Sequence, residues 1–178
     1  VGSEMCIRDR MKRIAEISGL TYEQIYKYAM SFYKENKKGD LEVARQLGVK
    51  LPKWESQYER LYTDTKDCLK KLSRIYKIGV IANQSLGTSE RLENLGAEEG
   101  VSKPDRRIFE IALERSCCKP ENAVMIGDRI DNDIVPAKQL GMKTIWVKQG
   151  LGSLWNITDE SEKADIEVNN LSDILNFL

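Results

Sequence analysis

Val124-Met125-Ile126-Gly127-Asp128-Arg129-Ile130-Asp131-Asn132-Asp133 is the stretch on which the reading of this chain turns. An apolar run ends in Gly-Asp, and a further aspartate, Asp133, stands five positions after Asp128. A short apolar run bounded by turn residues reads as a buried strand. Carboxylates at the C-terminal end of such a strand stand where open α/β sheets bind ligands. Hard oxygen donors suit Mg²⁺, which takes one or two protein carboxylates and fills its shell with waters and substrate phosphate. The stretch therefore points to a metal-assisted phosphate site, with Asp128 as strand-end ligand and Asp133, or a water it holds, completing the shell. The plainer alternative is a strand-to-helix loop in which Asp131 or Asn132 caps the next helix and the other carboxylates are solvated. Gly-Asp alone is common. The spacing, the apolar strand before it and the helical pattern behind it favour the metal reading.

The surrounding elements alternate in kind. Thr65–Arg74 reads as a helix with Cys68, Leu69 and Leu72 inward. Ile78–Ala82 is a short run rich in β-branched residues, expected as a buried strand. Thr88–Leu95 reads as a helix closed by Gly96. Lys103-Pro104-Asp105 opens another, with proline at the favoured first position and Ile108, Phe109, Ala112 and Leu113 as its buried stripe. Ala123–Ile126 is a strand, Asn132–Leu140 a helix closed by Gly141, Thr144–Val147 and Asp165–Val168 are strands, and Ser172–Leu178 is a closing helix. Strands alternating with helices predict an α/β fold, a parallel sheet with helices on both faces.

The N-terminal part differs. Residues 11–62 are charged, tyrosine-rich and helical in pattern. Thr21-Tyr22-Glu23-Gln24 is a capping-box signature, followed by Ile25, Tyr28, Ala29 and Phe32 at helical spacing. Gly39-Asp40 breaks the pattern, Leu41–Leu47 resumes it, and Pro52 is expected to open a third helix carrying Trp54, Tyr58 and Leu61. The aromatic residues Tyr22, Tyr26, Tyr28, Tyr33, Trp54 and Tyr58 read as packing. Residues 1–10 show no periodicity and read as a non-native translated scar outside the fold. The expected division is 1–10 scar, 11–62 helical module and 63–178 α/β core.

Composition narrows the function classes. The 28 Lys and Arg balance 28 Asp and Glu, whereas a nucleic-acid binder shows a basic excess. No apolar run reaches the roughly 18 residues of a membrane span, and the start lacks the apolar segment of a secretory signal. Cys6, Cys68, Cys117 and Cys118 have no metal-type spacing, which predicts a reducing, cytoplasmic compartment. The chain has no histidine, so Ser-His or Cys-His chemistry and His-ligated zinc are excluded. Any catalysis must use carboxylates, lysine, hydroxyls or a metal.

Two further groups are candidates. Lys103, just ahead of a helix start, places a positive charge beside backbone N–H groups that favour anions. It can steady a nucleophile and offset charge on a phosphoryl group, or be one of many surface lysines. Asn83 and Ser85, directly after the Ile78–Ala82 run, can donate hydrogen bonds to a phosphate oxygen, or simply form a polar turn.

Three elements in order, Ala82-Asn83, Lys103-Pro104-Asp105 and Gly127-Asp128…Asp133, resemble those of the haloacid dehalogenase-like hydrolases. The resemblance covers roughly residues 11–178 and is nearest to the helical-cap subfamily that includes haloacid dehalogenase and phosphoglycolate phosphatase. It implies a Rossmann-like core, with residues 11–62 as the helical cap. It also implies a Mg²⁺-dependent phosphatase acting on a small phosphorylated metabolite through an aspartyl-phosphate. Asp128 and Asp133 match the metal-binding acids and Lys103 the lysine that steadies nucleophile and phosphoryl group. Asn83 lies beside Ala82, where the family has Ser or Thr.

The chain also departs from that pattern. The family's nucleophile lies in Asp-x-Asp on a first strand before the cap, and no such strand is expected here. Gly96 and Lys103 are only seven positions apart, so about a dozen residues forming another strand are expected to be missing. On this reading the chain is truncated at its start, internally deleted and inactive as written. A non-catalytic binding module of the same fold and, within the family, a dehalogenase are the alternatives. A response-regulator-like phospho-acceptor is weaker, because Gly127-Asp128 comes late in the chain. Substrate identity and oligomeric state leave no signal.

Overall fold

A computed structural model describes residues 4–53, 55, 61–83 and 101–178. The chain divides into two compact units, Val1–Thr63 with Gly150–Asn156, and Asp64–Gln149 with Ile157–Leu178.

The first unit is helical, with α1 (Glu4–Ser18), α2 (Tyr22–Tyr33) and α3 (Gly39–Gln46). Met11, Ile14 and Ala15 repeat at helical spacing on α1 and pack with Ile25, Ala29, Val43 and Ala44 into one core. Thr21 caps α2, and the Gln24 side chain returns the bond to the Thr21 N–H, as the sequence signature predicts. The helix α1 starts at Glu4, ahead of Met11, where the sequence pattern places the start of the fold. Cys6 is buried and Ile7 packs on the core, so the apolar stripe extends one turn further than its charged neighbours suggest. Asp40 is buried, and its carboxylate is met by Arg10 Nη1 at 3.1 Å and by the Tyr33 hydroxyl at 3.0 Å. Those partners offset what an isolated buried charge would cost. Asn36, at φ 59°, trades reciprocal 2.7 Å bonds with the Asn156 backbone, which ties the 150–156 segment to this unit.

The second unit holds the sheet. Strands β1 (Val124–Gly127), β2 (Lys143–Val147) and β3 (Ile166–Val168) run parallel in the order β1-β2-β3. β2 lies between the other two, and Thr144, Ile145, Trp146 and Val147 are all buried, as a strand covered on both faces requires. Thr144 donates from its N–H and hydroxyl to Asp165 Oδ2, which lets a polar side chain occupy that position. Two separate clusters form. One joins Ile108 and Phe109 of α5 (Arg106–Ser116) to Met125, Ala137 and Met142. The other joins Ile145, Val147, Val168 and Ile174, with Ile126 against them. Successive residues of a strand point to opposite faces, so Met125 and Ile126 mark the two sides. The α/β architecture with its parallel sheet is thus the one the sequence predicts.

Several local expectations change. Ile78–Ala82 forms no strand: Ile78 and Val80 are exposed. Among the described residues this run has no ladder partner, since β1 bonds only β2, and Gly79 weakens it further. Leu69 points outward from α4 (Thr65–Leu72), because Cys68 and Leu72 already fill its inner face. Pro104 precedes α5 rather than opening it, and Asp105 is the cap, accepting from Arg107 N–H at 2.8 Å. The helix expected from Asn132 starts instead as a wide π-helical turn, Ile130–Ile134, that continues into α6 (Val135–Gln139). The closing element is a 3₁₀ helix, Leu171–Asn176. The expected third helix of the first unit falls largely on residues 54 and 56–60, outside the described residues, and Pro52 and Leu61 beside it are not helical. The helix expected at 88–95, its stop at Gly96 and the substrate candidate Ser85 also lie outside the described residues.

Phe109 is completely buried. Phe109→Ala is expected to destabilise the second unit by about 3–5 kcal/mol, as read by urea denaturation.

Candidate functional site

The end of β1 positions the site, and Gly127 makes it possible. A Cβ on Gly127 would lie about 2.5 Å from the Asp133 carboxylate, which no side chain tolerates. Glycine therefore lets Asp133 fold back against the strand end. The turn after β1 does the rest: Asp133 N–H donates to the Arg129 carbonyl at 2.9 Å, and Arg129 N–H donates to Asp133 Oδ2 at 3.1 Å.

Asp133 is 3% exposed. Its Oδ1 accepts from Lys103 Nζ at 2.6 Å, an ion pair in which the lysine side chain is 14% exposed. A charge-assisted bond of this length in so closed a place is among the stronger contacts a protein makes. Lys103 is held from behind by Asn83. The Asn83 Oδ1 accepts from the Lys103 N–H at 2.6 Å, and Asn83 Nδ2 donates to the Lys103 carbonyl at 2.7 Å.

Asp128 follows Gly127 directly. Burial, and after it the negative charge of Asp133, push its carboxyl above the ordinary range, against the opposing pull of its own backbone hydrogen bond and of Lys103. Its carbonyl oxygen accepts from the Trp146 indole N–H at 3.1 Å. Arg129 closes on Asp131 through two bonds of 2.9 and 2.5 Å, so Asp131 is engaged as an ion-pair partner.

The expected residues Asp128, Asp133 and Lys103 are therefore brought together. Asn83 joins them in a different role: its amide grips the lysine backbone. Trp146 escaped the sequence reading, and the Gly-Asp motif gave no sign that Gly127 makes room for the Asp133 carboxylate. A buried tryptophan in a strand did carry a signal, since its N–H needs a partner.

These residues fit a divalent cation of one kind. Two carboxylates stand close enough for one to raise the pKa of the other, and a cation would relieve that repulsion. Both oxygens of Asp133 already accept N–H donors, which leaves the Asp128 carboxylate as the group in want of a counter-charge. Among the described residues no three His, Cys, Asp or Glu side chains surround a common point. Mg²⁺ is the common ion that takes few protein ligands and keeps its waters.

Parts of this chain are similar to known proteins. Residues 100–174 match the family model described as HAD-hyrolase-like. The glyceraldehyde 3-phosphate phosphatase of Pyrococcus furiosus is 42% identical over 80 residues, which are 45% of this chain and 33% of the relative. That of Methanocaldococcus jannaschii is 31% identical over 132 residues, 67% of this chain and 57% of the relative. The chain thus spans between a third and somewhat over half of the length of these curated relatives. Among solved structures, a predicted phosphoglycolate phosphatase from Haemophilus somnus 129PT superposes with TM-score 0.65 at 16% identity. The match covers 98% of this chain and 91% of that one, a likeness of fold.

Gly127→Ala is expected to cost about 1–3 kcal/mol of stability, because Asp133 must move off the strand end. A thermal melt checks the loss, and an unchanged melting temperature would contradict the close packing.

Proposed function

We propose that this chain, which belongs to the haloacid dehalogenase-like hydrolase superfamily, carries the metal and lysine parts of a site that hydrolyses the phosphomonoester of a small metabolite. The observation that carries the reading is the convergence of Asp128, Asp133 and the Lys103 ammonium at the end of β1. The phosphatase names of its relatives support it.

Asp128, with Asp133 behind it, would hold Mg²⁺, which when bound supplies positive charge to the phosphate oxygens. Lys103 presents a second positive charge, fixed in direction by Asp133 and Asn83. That arrangement stabilises charge on a transferring phosphoryl group without reorganisation during the reaction. By the resemblance, residues 11–62 act as the helical cap and 63–178 as the core, and an attacking aspartate forms an aspartyl-phosphate.

A second reading, a binding module without turnover, rests on one observation. Among the described residues Asp131 is held by Arg129 and Asp133 by Lys103 and the Arg129 N–H, and Asp128 is the proposed metal ligand, so none of the three serves as the attacking group on this reading. Loss of a nucleophile removes most of a rate enhancement.

Calorimetry of inorganic phosphate binding to the 178-residue chain tests both readings. The expected result is phosphate binding that needs Mg²⁺ and disappears in Asp128→Asn; equal binding in the presence of a chelator would refute the site. A parallel assay with p-nitrophenyl phosphate and Mg²⁺ is expected to show little or no turnover by this chain. Rapid turnover would sink the second reading.

Asn83→Ala removes both backbone bonds that hold Lys103. It is expected to weaken Mg²⁺-dependent phosphate binding by roughly threefold to tenfold, part of the worth of two ordinary hydrogen bonds because the clamp acts on the ligand only through Lys103. Undiminished binding would show that Lys103 holds its place without the clamp.

A further inference from the structure

Trp146 sits on β2 directly across from Gly127, the last paired position of β1. Asp128 comes one residue later, where its carbonyl has left the β1–β2 ladder. A carbonyl at that point loses its strand partner and must find another. It finds the Trp146 indole N–H, 3.1 Å away.

The indole itself is confined. It is 2% exposed, and Lys148 Nζ stands 5.1 Å from its ring centroid. Lys148 in turn pairs with Glu167 Oε2 at 3.2 Å, and Glu167 lies across from Trp146 on β3. Trp146, Lys148 and Glu167 thus form a brace across β2 and β3 whose far end is a single N–H aimed at Asp128. Simple packing would not need that donor, since a phenylalanine would also fill a buried strand position.

We infer that Trp146 is a positioning residue: its N–H anchors the Asp128 backbone and so sets the direction in which the Asp128 carboxylate leaves the sheet. The inference rests on the reading of Asp128 as a metal ligand, and it concerns the backbone that carries the ligand. Its consequence is selective, because loss of the N–H should loosen the ligand while leaving the fold intact.

The test uses the full chain and Mn²⁺ alone as the probe, with free metal followed by electron paramagnetic resonance. Trp146→Phe removes the donor and keeps an aromatic ring. Its Mn²⁺ affinity is expected to fall about threefold to tenfold, the range of one hydrogen bond, while its melting profile stays cooperative. Benzothienylalanine at position 146 keeps the indole shape with sulfur in place of N–H. It is expected to show the same loss, and it decides the matter if Trp146→Phe does not fold. Unchanged affinity in a folded variant overturns the inference. If Mn²⁺ uptake is the same in wild type and Asp128→Asn, the metal reading fails, and backbone ¹⁵N relaxation then decides the role of Trp146. The Asp128 and Arg129 amides gain nanosecond mobility in the variant if Trp146 anchors them, and keep their order if it only packs.

Discussion

A carboxylate that is 3% exposed needs compensation on every lone pair that faces the protein, and Asp133 obtains it from two directions. Lys103 Nζ meets one oxygen and the Arg129 N–H the other. Each partner is thereby located: the lysine is drawn to the sheet end, and the turn after β1 is wound tightly enough to bring its amide back. Gly127 supplies the space, since any side chain there would occupy the volume of the Asp133 carboxylate. The rest of the site follows. Asp128 is pressed beside a negative neighbour, its carboxyl raised by burial and by that charge, and is left as the group a cation would serve.

The site has an inner and an outer layer with different physical roles. On the proposed reading, Asp128 and Lys103 would meet the ligand. Asn83, Trp146 and Asp133 hold them by backbone or charge. Such supporting contacts turn flexible side chains into a fixed constellation, which is what electrostatic stabilisation of a transition state requires. The helical unit solves a similar problem on its own terms. Its buried Asp40 is matched by Arg10 and the Tyr33 hydroxyl, which links α1, α2 and α3.

Much of this was legible in the residues. The capping box at Thr21 and the strands around Ile126 and Ile145 follow from local pattern, because caps and periodicity act within one turn or one strand. Asp128, Asp133 and Lys103 were identifiable because their chemistry is rare in combination and their order is specific. Ile78–Ala82 has the composition of a strand and forms none: β-branched residues signal a strand only where a neighbour completes the ladder, and among the described residues none does. Asn83 has the side-chain groups of a phosphate donor, and that is all its residue type tells. Its bonds go to the Lys103 backbone, twenty residues away.

By itself, the sequence determined which groups this protein can use: carboxylates and lysine, with no histidine, on an α/β scaffold whose Gly-Asp turn lies at a strand end. Residue type and short-range spacing are enough for that. Only the tertiary structure decided which atoms face each other. It folded Asp133 over Gly127 onto Lys103, and it set the Trp146 N–H under Asp128. Those pairings join residues up to 30 positions apart, and they depend on strand register and packing, which no local pattern encodes.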